Sequence, residues 1–449
     1  MIGLEEQKLV LGLNLTKENS SRLHAFNIIY EFHSSSHQLK SIRRKYFKLN
    51  KTSINERNRS MVLTNEVVRW QRRLDSWISL SLDKPIKKLH PKLLCILRLG
   101  YYEYVMDDSV PPHAAVDSWV ELSKKVVNRK LSGLINAVLR KASNIDKQTP
   151  IKDQNIATWS SFPDWMTSNW IDRFGEAKTK ELFSYFNNNH ETDIRLNIPI
   201  DEIKQKLASE DIKWSFSPNS KNFIRIKSGL RKILSDEIHF KGKVFVQDRA
   251  AGAVVEILNP QPGETVLDVC AAPGTKSIYI FHKMNQSGNL YSSDINSYQV
   301  KKGIQRCREL GLSINWNIMD ATKDNFPLAD RILIDAPCTG TGVISRKPDI
   351  KWRRDSEDST KMSNYQKKIL FHVSKFIKND GVIVYSTCSI ENQENWNVVE
   401  SFLKLNSNFK LESIDSLVPK EWINKKNCLE TFPPRDKVDG MFAVKMKKC

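Results

Sequence analysis

The sequence lacks the marks of several common protein classes. No apolar run reaches the ~18 residues that a membrane-spanning helix needs, so none is expected. Cysteines number seven, an odd count in a chain of 449 residues, and no C-x-x-C occurs. That pattern argues against a disulfide framework or a zinc ribbon and for reduced thiols in the cytosol. His33 and His37 flank three serines with no carboxylate between them, which reads as loop, and no metal is expected. The opening "MIGLEEQKLVLGLNLTKENS" has no basic start followed by an apolar block, so a secretory signal is not expected and a cytoplasmic location is. There is no internal repeat, no low-complexity tract, no G-x-G-x-x-G and no phosphate-binding P-loop.

Basic residues are plentiful. Lys and Arg total 70 against 51 acids, a formal net charge of +19. Such an excess gains affinity for polyanions through counterion release, although charge alone does not choose between RNA, DNA and an acidic membrane surface.

The first third reads as helical. Ser53-x-x-Glu56 is a capping box, and Leu63, Val67, Trp70, Leu74 and Trp77 then form one helical stripe. Arg69, Arg72 and Arg73 fall off that stripe. A second stripe runs through Leu131, Leu134, Ile135, Val138 and Leu139, with Arg129, Lys130, Arg140 and Lys141 around it. A bundle over 1–145 fits this spacing. Composition shifts near 144–155, and a linker with a small α+β module is expected over 146–240. It begins with an aromatic helix pair at 162–175 and continues as short strands and helices.

From 241 to the end, apolar runs alternate with helical segments: "TVLDV", "NLYSSD", "INWNIMD", "RILID" and "GVIVYS". This rhythm predicts a parallel sheet with helices on both faces, whose site lies beyond the carboxyl ends of the strands. Cys270, Asp294, Asp320, Asp335, Cys338 and Cys388 all fall there. "LDVCAAPGTKS" is a strand, a turn of small residues and a helix start, where a backbone can approach a ligand. Asp294, twenty residues after Gly274, suits the two hydroxyls of a ribose. Asp320 suits an adenine amino group. An adenosine-type cofactor is the expectation.

Two cysteines stand apart from the rest. Cys338 follows Asp335-Ala336-Pro337, and Cys388 lies in Ser386-Thr387-Cys388-Ser389 before an expected helix whose N-terminus would favour the thiolate. A thiolate, an adenosine cofactor and a polyanionic substrate together suit methylation of cytosine carbon 5. Addition of the thiolate to carbon 6 breaks the aromaticity and makes carbon 5 nucleophilic. Asp335 would hydrogen-bond the base and assist protonation at N3, and the target base must leave any helix to be reached. An exocyclic-amine methyltransferase would carry Asn/Asp-Pro-Pro-aromatic here instead. The residues by themselves leave the two thiols unranked.

At these positions the chain resembles the ribosomal RNA cytosine-5 methyltransferases of the Sun (Fmu, RsmB) type. The motifs are "VQDRAAG", "LDVCAAPGTKS", "DAPCTGTGVISRKPDIKW", "YSTCSIENQEN" and "VDGMFAVKMK". At the front, "LHPKLLCILRLGYYEY", "VPPHAAVDSWVELSK" and "LINAVLRKAS" resemble a NusB-like domain. The resemblance implies an all-α NusB-like bundle, the small α+β module and a Rossmann-like α/β methyltransferase domain. It implies S-adenosylmethionine held along Cys270, Ala271, Ala272, Pro273, Gly274, Thr275, Lys276, Asp294, Asp320 and Asp335. It implies Cys388 as the nucleophile, with Cys338 aiding product release. DNA cytosine methyltransferases use a Pro-Cys thiol like that of Cys338, so the opposite ranking is the alternative.

Thr275 replaces a usual glycine, and Ser345 and Lys347 stand where Arg and His are common. The expected partner is RNA, in the first place 16S ribosomal RNA, with no DNA or membrane, and the expected state is a monomer. A non-catalytic RNA-binding adaptor and a transfer RNA methyltransferase are the competing readings.

Overall fold

The computed structural model describes residues 21–150, 154–188 and 190–449. The amino-terminal stretch read against a secretory signal lies outside them. The chain divides into two compact units, Met1–Arg173 and Phe174–Cys449.

The first unit is helical. Its longest helix, Ile54–Leu80, begins at the expected capping box, with the Ser53 side chain accepting from the Glu56 N–H and Glu56 bonding back to the Ser53 N–H. Leu63, Val67, Leu74 and Trp77 are fully buried, and Trp70 is half-buried. The arginines off the stripe do not form a solvated face. Arg69 and Arg73 are buried. The Arg73 guanidinium lies 4.3 Å from the Trp70 ring and 3.6 Å from that of Trp159, and Arg72 donates to the Phe162 carbonyl and to Asp164. Planar guanidinium stacks on indole while its stem covers apolar surface, which is why charge did not force these residues outward. A buried acid sits in the same bundle. Glu103 accepts from Arg22 at 2.8 Å, Arg59 at 2.6 Å and the Trp119 indole at 2.7 Å.

Three local expectations change. His33 lies in the last turn of helix Ser21–Ser34, 2.6 Å from Arg98, and is not loop. The stripe around 131–139 buries Ile135, Val138 and Leu139 but leaves Leu134 exposed. Residues 162–175 form one helix, Asp164–Phe174, with Phe162 tucked against Trp170.

The second unit holds two sheets. Strands β1 (Thr192–Leu196), β2 (Lys213–Phe216), β3 (Phe223–Ser228) and β4 (Val244–Val246) form an antiparallel sheet in the order β2-β3-β1-β4. Ile194, Ile224 and Ile226 pack on Ile203 and Leu207 of helix Asp201–Ser209.

The larger sheet contains β5 (Thr265–Asp268), β6 (Asn289–Asp294), β7 (Asn315–Ile318), β8 (Ala329–Asp335), β9 (Ile377–Thr387), β10 (Phe409–Leu411), β11 (Leu429–Glu430) and β12 (Phe442–Lys448). Its order is β10-β12-β9-β8-β5-β6-β7, with β11 on β12. The five expected strands are parallel neighbours, but β12 runs antiparallel to β9, and β10 and β11 antiparallel to β12, so the sheet is mixed. The ending "VDGMFAVKMK" thus supplies a central strand. Because β5 pairs with β6 on one side and β8 on the other, the chain's course reverses between β5 and β8, where open α/β sheets form their crevice.

Candidate active site

The carboxyl ends of β5, β6, β8 and β9 deliver the singled-out residues to that crevice, and Asp320 stands just past β7. After β5 the loop 270–274 folds tightly. The Ala271 N–H donates to the Ser293 carbonyl and the Gly274 N–H to the Ala271 carbonyl, both at 2.8 Å. Gly274 has φ +95°, and a Cβ there would lie 2.8 Å from the Trp316 ring, so the position needs glycine. Thr275 opens helix Thr275–Lys283, and its hydroxyl accepts from Arg306 at 3.2 Å.

The carboxylates are each oriented by local donors. Asp294 accepts from the Ala272 N–H at 3.2 Å and the Asn296 N–H at 2.8 Å. Asp320 accepts from the Thr322 hydroxyl and N–H, which hold its carboxyl below the usual range. Asp335 accepts from Lys276 Nζ at 2.7 Å and the Ser386 hydroxyl at 2.9 Å. Burial works against the Lys276 ammonium, but Asp335 more than offsets it and the pKa rises. A carboxylate has about four lone-pair sites, so each of the three keeps acceptor capacity.

Cys270 sits among these acids. Burial pushes its thiol well above the usual range, reinforced by Asp294, Asp268, Asp335 and Asp320. It is therefore a poor nucleophile. Asp294, Asp320 and Asp335 around Cys270, with Lys276 paired to Asp335 and Lys323 3.7 Å from Asp320, make a pocket rich in acceptors for hydroxyl and amino donors and for a cationic group.

The two thiols meet. Cys338 Sγ and Cys388 Sγ are 3.3 Å apart, both partly exposed. They are polarised in opposite directions. The hydrogen bond with Cys338 lowers the Cys388 thiol below its ordinary range against the costs of burial and of Asp335, with Lys347 and Lys276 adding to the effect. The same bond, together with burial and the nearby negative charges of Cys388 and Glu394, raises that of Cys338. The helix expected directly after Cys388 starts only at Trp396, so its N-terminus does not activate the thiol. A neighbouring thiol and two ammonium groups do so instead.

Sequence reasoning missed several groups here. Asp268 is buried, bonded to the Ser277 hydroxyl at 2.7 Å, and burial raises it to about 7. Glu394, in the polar run after Cys388, is fully buried and accepts from the Thr339 N–H and hydroxyl, the Ser389 hydroxyl and Gln366. Arg346 bridges the buried Asp248 (2.6 Å) and Asp439 (3.3 Å). Polar residues in loops carry no periodicity, and only the quoted motifs flagged these stretches.

Comparison with known proteins gives the family. Residues 255–447 match the family model described as 16S rRNA methyltransferase RsmB/F, and residues 19–144 match the NusB family. The probable ribosomal RNA small subunit methyltransferase B of Synechocystis is 33% identical over 398 residues, covering 85% of this chain and 89% of that protein. The chain belongs to the ribosomal RNA small subunit methyltransferase B family. The Bacillus subtilis relative, a probable enzyme of the same name, is 30% identical over 84% of this chain and 87% of its own length.

As a member of that family the chain is an RNA methyltransferase. Its fold, a NusB-type helical region followed by a Rossmann-like α/β domain, is shared by the solved structure of PH0851. That likeness has a TM-score of 0.79 at 22% identity and covers 97% of this chain and all of that one. NSun6 from Pyrococcus horikoshii, solved with SFG, matches with a TM-score of 0.57 at 18% identity, over 64% of this chain and 99% of that one. Among the described residues no helix is long and apolar enough to cross a membrane.

Proposed function

We propose that this enzyme methylates carbon 5 of a cytosine in 16S ribosomal RNA, with S-adenosylmethionine as donor, through a transient bond between Cys388 and carbon 6 of the base. The observation that carries the reading is the polarised thiol pair at 3.3 Å beside the Asp335–Lys276 ion pair. A donor thiol and two nearby cations favour the Cys388 thiolate, the form that adds to an electron-poor ring.

S-adenosylmethionine would supply an electrophilic methyl group. Cys270, Ala271, Ala272, Pro273 and Gly274 of the loop after β5, with Thr275 and Lys276 at the start of the following helix, would hold it. Asp294 offers acceptors for ribose hydroxyls and Asp320 for an amino group, and the acid-rich surroundings of Cys270 suit a sulfonium.

The steps on the base balance as follows. The Cys388 sulfur gives an electron pair to carbon 6 while N3 takes a proton from solvent, with Asp335 hydrogen-bonded at the Watson–Crick edge. The carbon 5 electron pair would take the methyl as its bond to the donor's sulfonium breaks, leaving a neutral thioether. Carbon 5 then gives its proton to water, N3 returns its proton to solvent, and the carbon 6–sulfur bond breaks to return the thiolate and restore the ring. The Cys338 thiol hydrogen-bonds the departing thiolate and so favours release.

We assign residues 1–145 to the helical RNA-binding part, 146–240 to the linker and α+β module, and 241–449 to catalysis. The exposed Arg129, Lys130 and Arg140 give the helical part its RNA-facing charge. The NusB match, the catalytic residues in one cleft and the net charge of +19 support an enzyme acting on RNA over an adaptor without catalysis. Bisulfite mapping of 16S ribosomal RNA and transfer RNA from cells with and without the protein tests the reading. One 16S cytosine should lose its methyl group; a lost transfer RNA mark, or no loss at all, contradicts it.

A further inference from the structure

One buried acid joins the two thiol loops, beside direct contacts of the Ser389 hydroxyl with the hydroxyls of Thr339 (3.1 Å) and Thr341 (3.2 Å). Thr339, next to Cys338, gives the Glu394 carboxylate its N–H at 2.9 Å and its hydroxyl. Ser389, next to Cys388, gives its hydroxyl at 2.7 Å. Gln366 donates at 2.9 Å both to Glu394 and to the carbonyl of Pro337, the residue before Cys338. These side-chain and backbone donors to Glu394 are all neutral groups, and the Arg354 guanidinium binds the Thr339 carbonyl at 3.1 Å beside them. The backbone completes the clamp: the Gly342 N–H donates to the Cys388 carbonyl at 3.0 Å, and the Gly440 N–H to the Gly342 carbonyl at 2.9 Å. A Cβ on Gly342 would come 2.0 Å from the Gly440 carbonyl oxygen, so the three loops meet with no side chain between them.

The surrounding charges are unequal. Lys347 and Lys276 act on Cys388, together with the acids Asp335 and Asp439. Glu394 and the Tyr385 phenol act on Cys338, whose carbonyl also accepts from Arg354 at 3.4 Å. The cations therefore favour negative charge on Cys388, while the acid behind Thr339 disfavours it on Cys338.

We infer that Glu394 is a positioning residue that locks the two thiol loops at one spacing and fixes Cys338 as the hydrogen-bond donor of the pair. This rests on the proposed thiolate chemistry, but its test does not use methylation. Glu394→Gln removes the charge at nearly constant volume, and the Thr339 and Ser389 hydroxyls can turn to accept from the new amide. The measurement is iodoacetamide alkylation of the intact protein across pH 6–10, with Cys338 and Cys388 scored separately by peptide mass spectrometry.

In the unaltered protein Cys388 should react roughly 10-fold or more faster than Cys338 near neutral pH, as expected when one thiol is ionised and the other is not. In Glu394→Gln that preference should fall several-fold, with the Cys338 profile moving to lower pH and melting behaviour little changed. A merely structural role would alter melting and leave the preference intact, and that result overturns the inference. If Glu394→Gln does not fold, Ser389→Ala loosens the clamp with the charge retained; a reduced preference there supports the inference and an unchanged one overturns it. Should Cys388→Ala still methylate RNA, the proposed chemistry fails while the alkylation result stands on its own.

Discussion

Cys338 and Cys388 each stand just past the end of a buried parallel strand, three residues after β8 and one after β9. Both are flanked by small residues, Pro337 and Thr339 for one and Thr387 and Ser389 for the other, and neither is next to a helix N-terminus of useful length. What separates them is delivered from elsewhere in the chain. Cys388 has Lys276 from the helix after β5 and Lys347 from the loop after β8 in its field, against Asp335; Cys338 has Glu394. Two thiols 3.3 Å apart cannot both ionise without strong repulsion, so a modest asymmetry of surroundings decides which carries the charge. Reactivity here belongs to the packed loops, not to the cysteine-bearing motif alone.

The comparison can be broken most directly by removing one sulfur at a time. Cys388→Ala should cut methyl transfer by on the order of 10^3-fold or more, because a covalent nucleophile acts with its whole assembly; tritium transfer from labelled donor into RNA measures it. Cys338→Ala leaves the nucleophile but removes the hydrogen-bond donor to the departing thiolate, so turnover should fall while a protein–RNA band resistant to denaturation accumulates on gels. Equal loss without that band in both variants would erase the proposed difference between the thiols.

Substitutions around the pair sharpen the same contrast with smaller effects. Asp335→Asn should lower kcat by roughly 10^2-fold, the scale of one positioned proton-handling group, with a smaller change in KM. Lys347→Met removes a cation that favours the Cys388 thiolate. The sign is direct: with less stabilisation of the anion the thiol pKa rises, so the alkaline-rising limb of the rate should move to higher pH, by a few tenths of a pH unit. A pH–rate series on both proteins checks this, and a shift to lower pH would contradict the assigned field.

Much of this site was legible from strand logic. Five apolar runs, three ending in Asp and two followed at once or after one residue by Cys, place these residues on one edge of a parallel sheet, and the structure brings Cys270, Asp294, Asp320, Asp335, Cys338 and Cys388 to that edge. The proposed ranking of the thiols was not legible, because it is argued from Glu394 reaching back 55 residues to Thr339, a contact with no sequence period. The mixed sheet was missed for a similar reason: β12 pairs with β9 across more than 50 residues, and an apolar run says nothing of direction. In the helical unit, Arg73 fell outside the apolar stripe yet is buried, since tryptophan faces supply what a carboxylate would otherwise provide. Binary patterning treats arginine as polar and cannot see that.

The central claim is the identity of the attacking atom. The decisive measurement is peptide mass spectrometry of the nuclease-trimmed adduct formed by Cys338→Ala with its RNA and S-adenosylmethionine. The account predicts a methylated cytidine remnant on the peptide bearing Cys388. A remnant on any other residue, or methylated RNA from Cys388→Ala with no adduct in any variant, would contradict it.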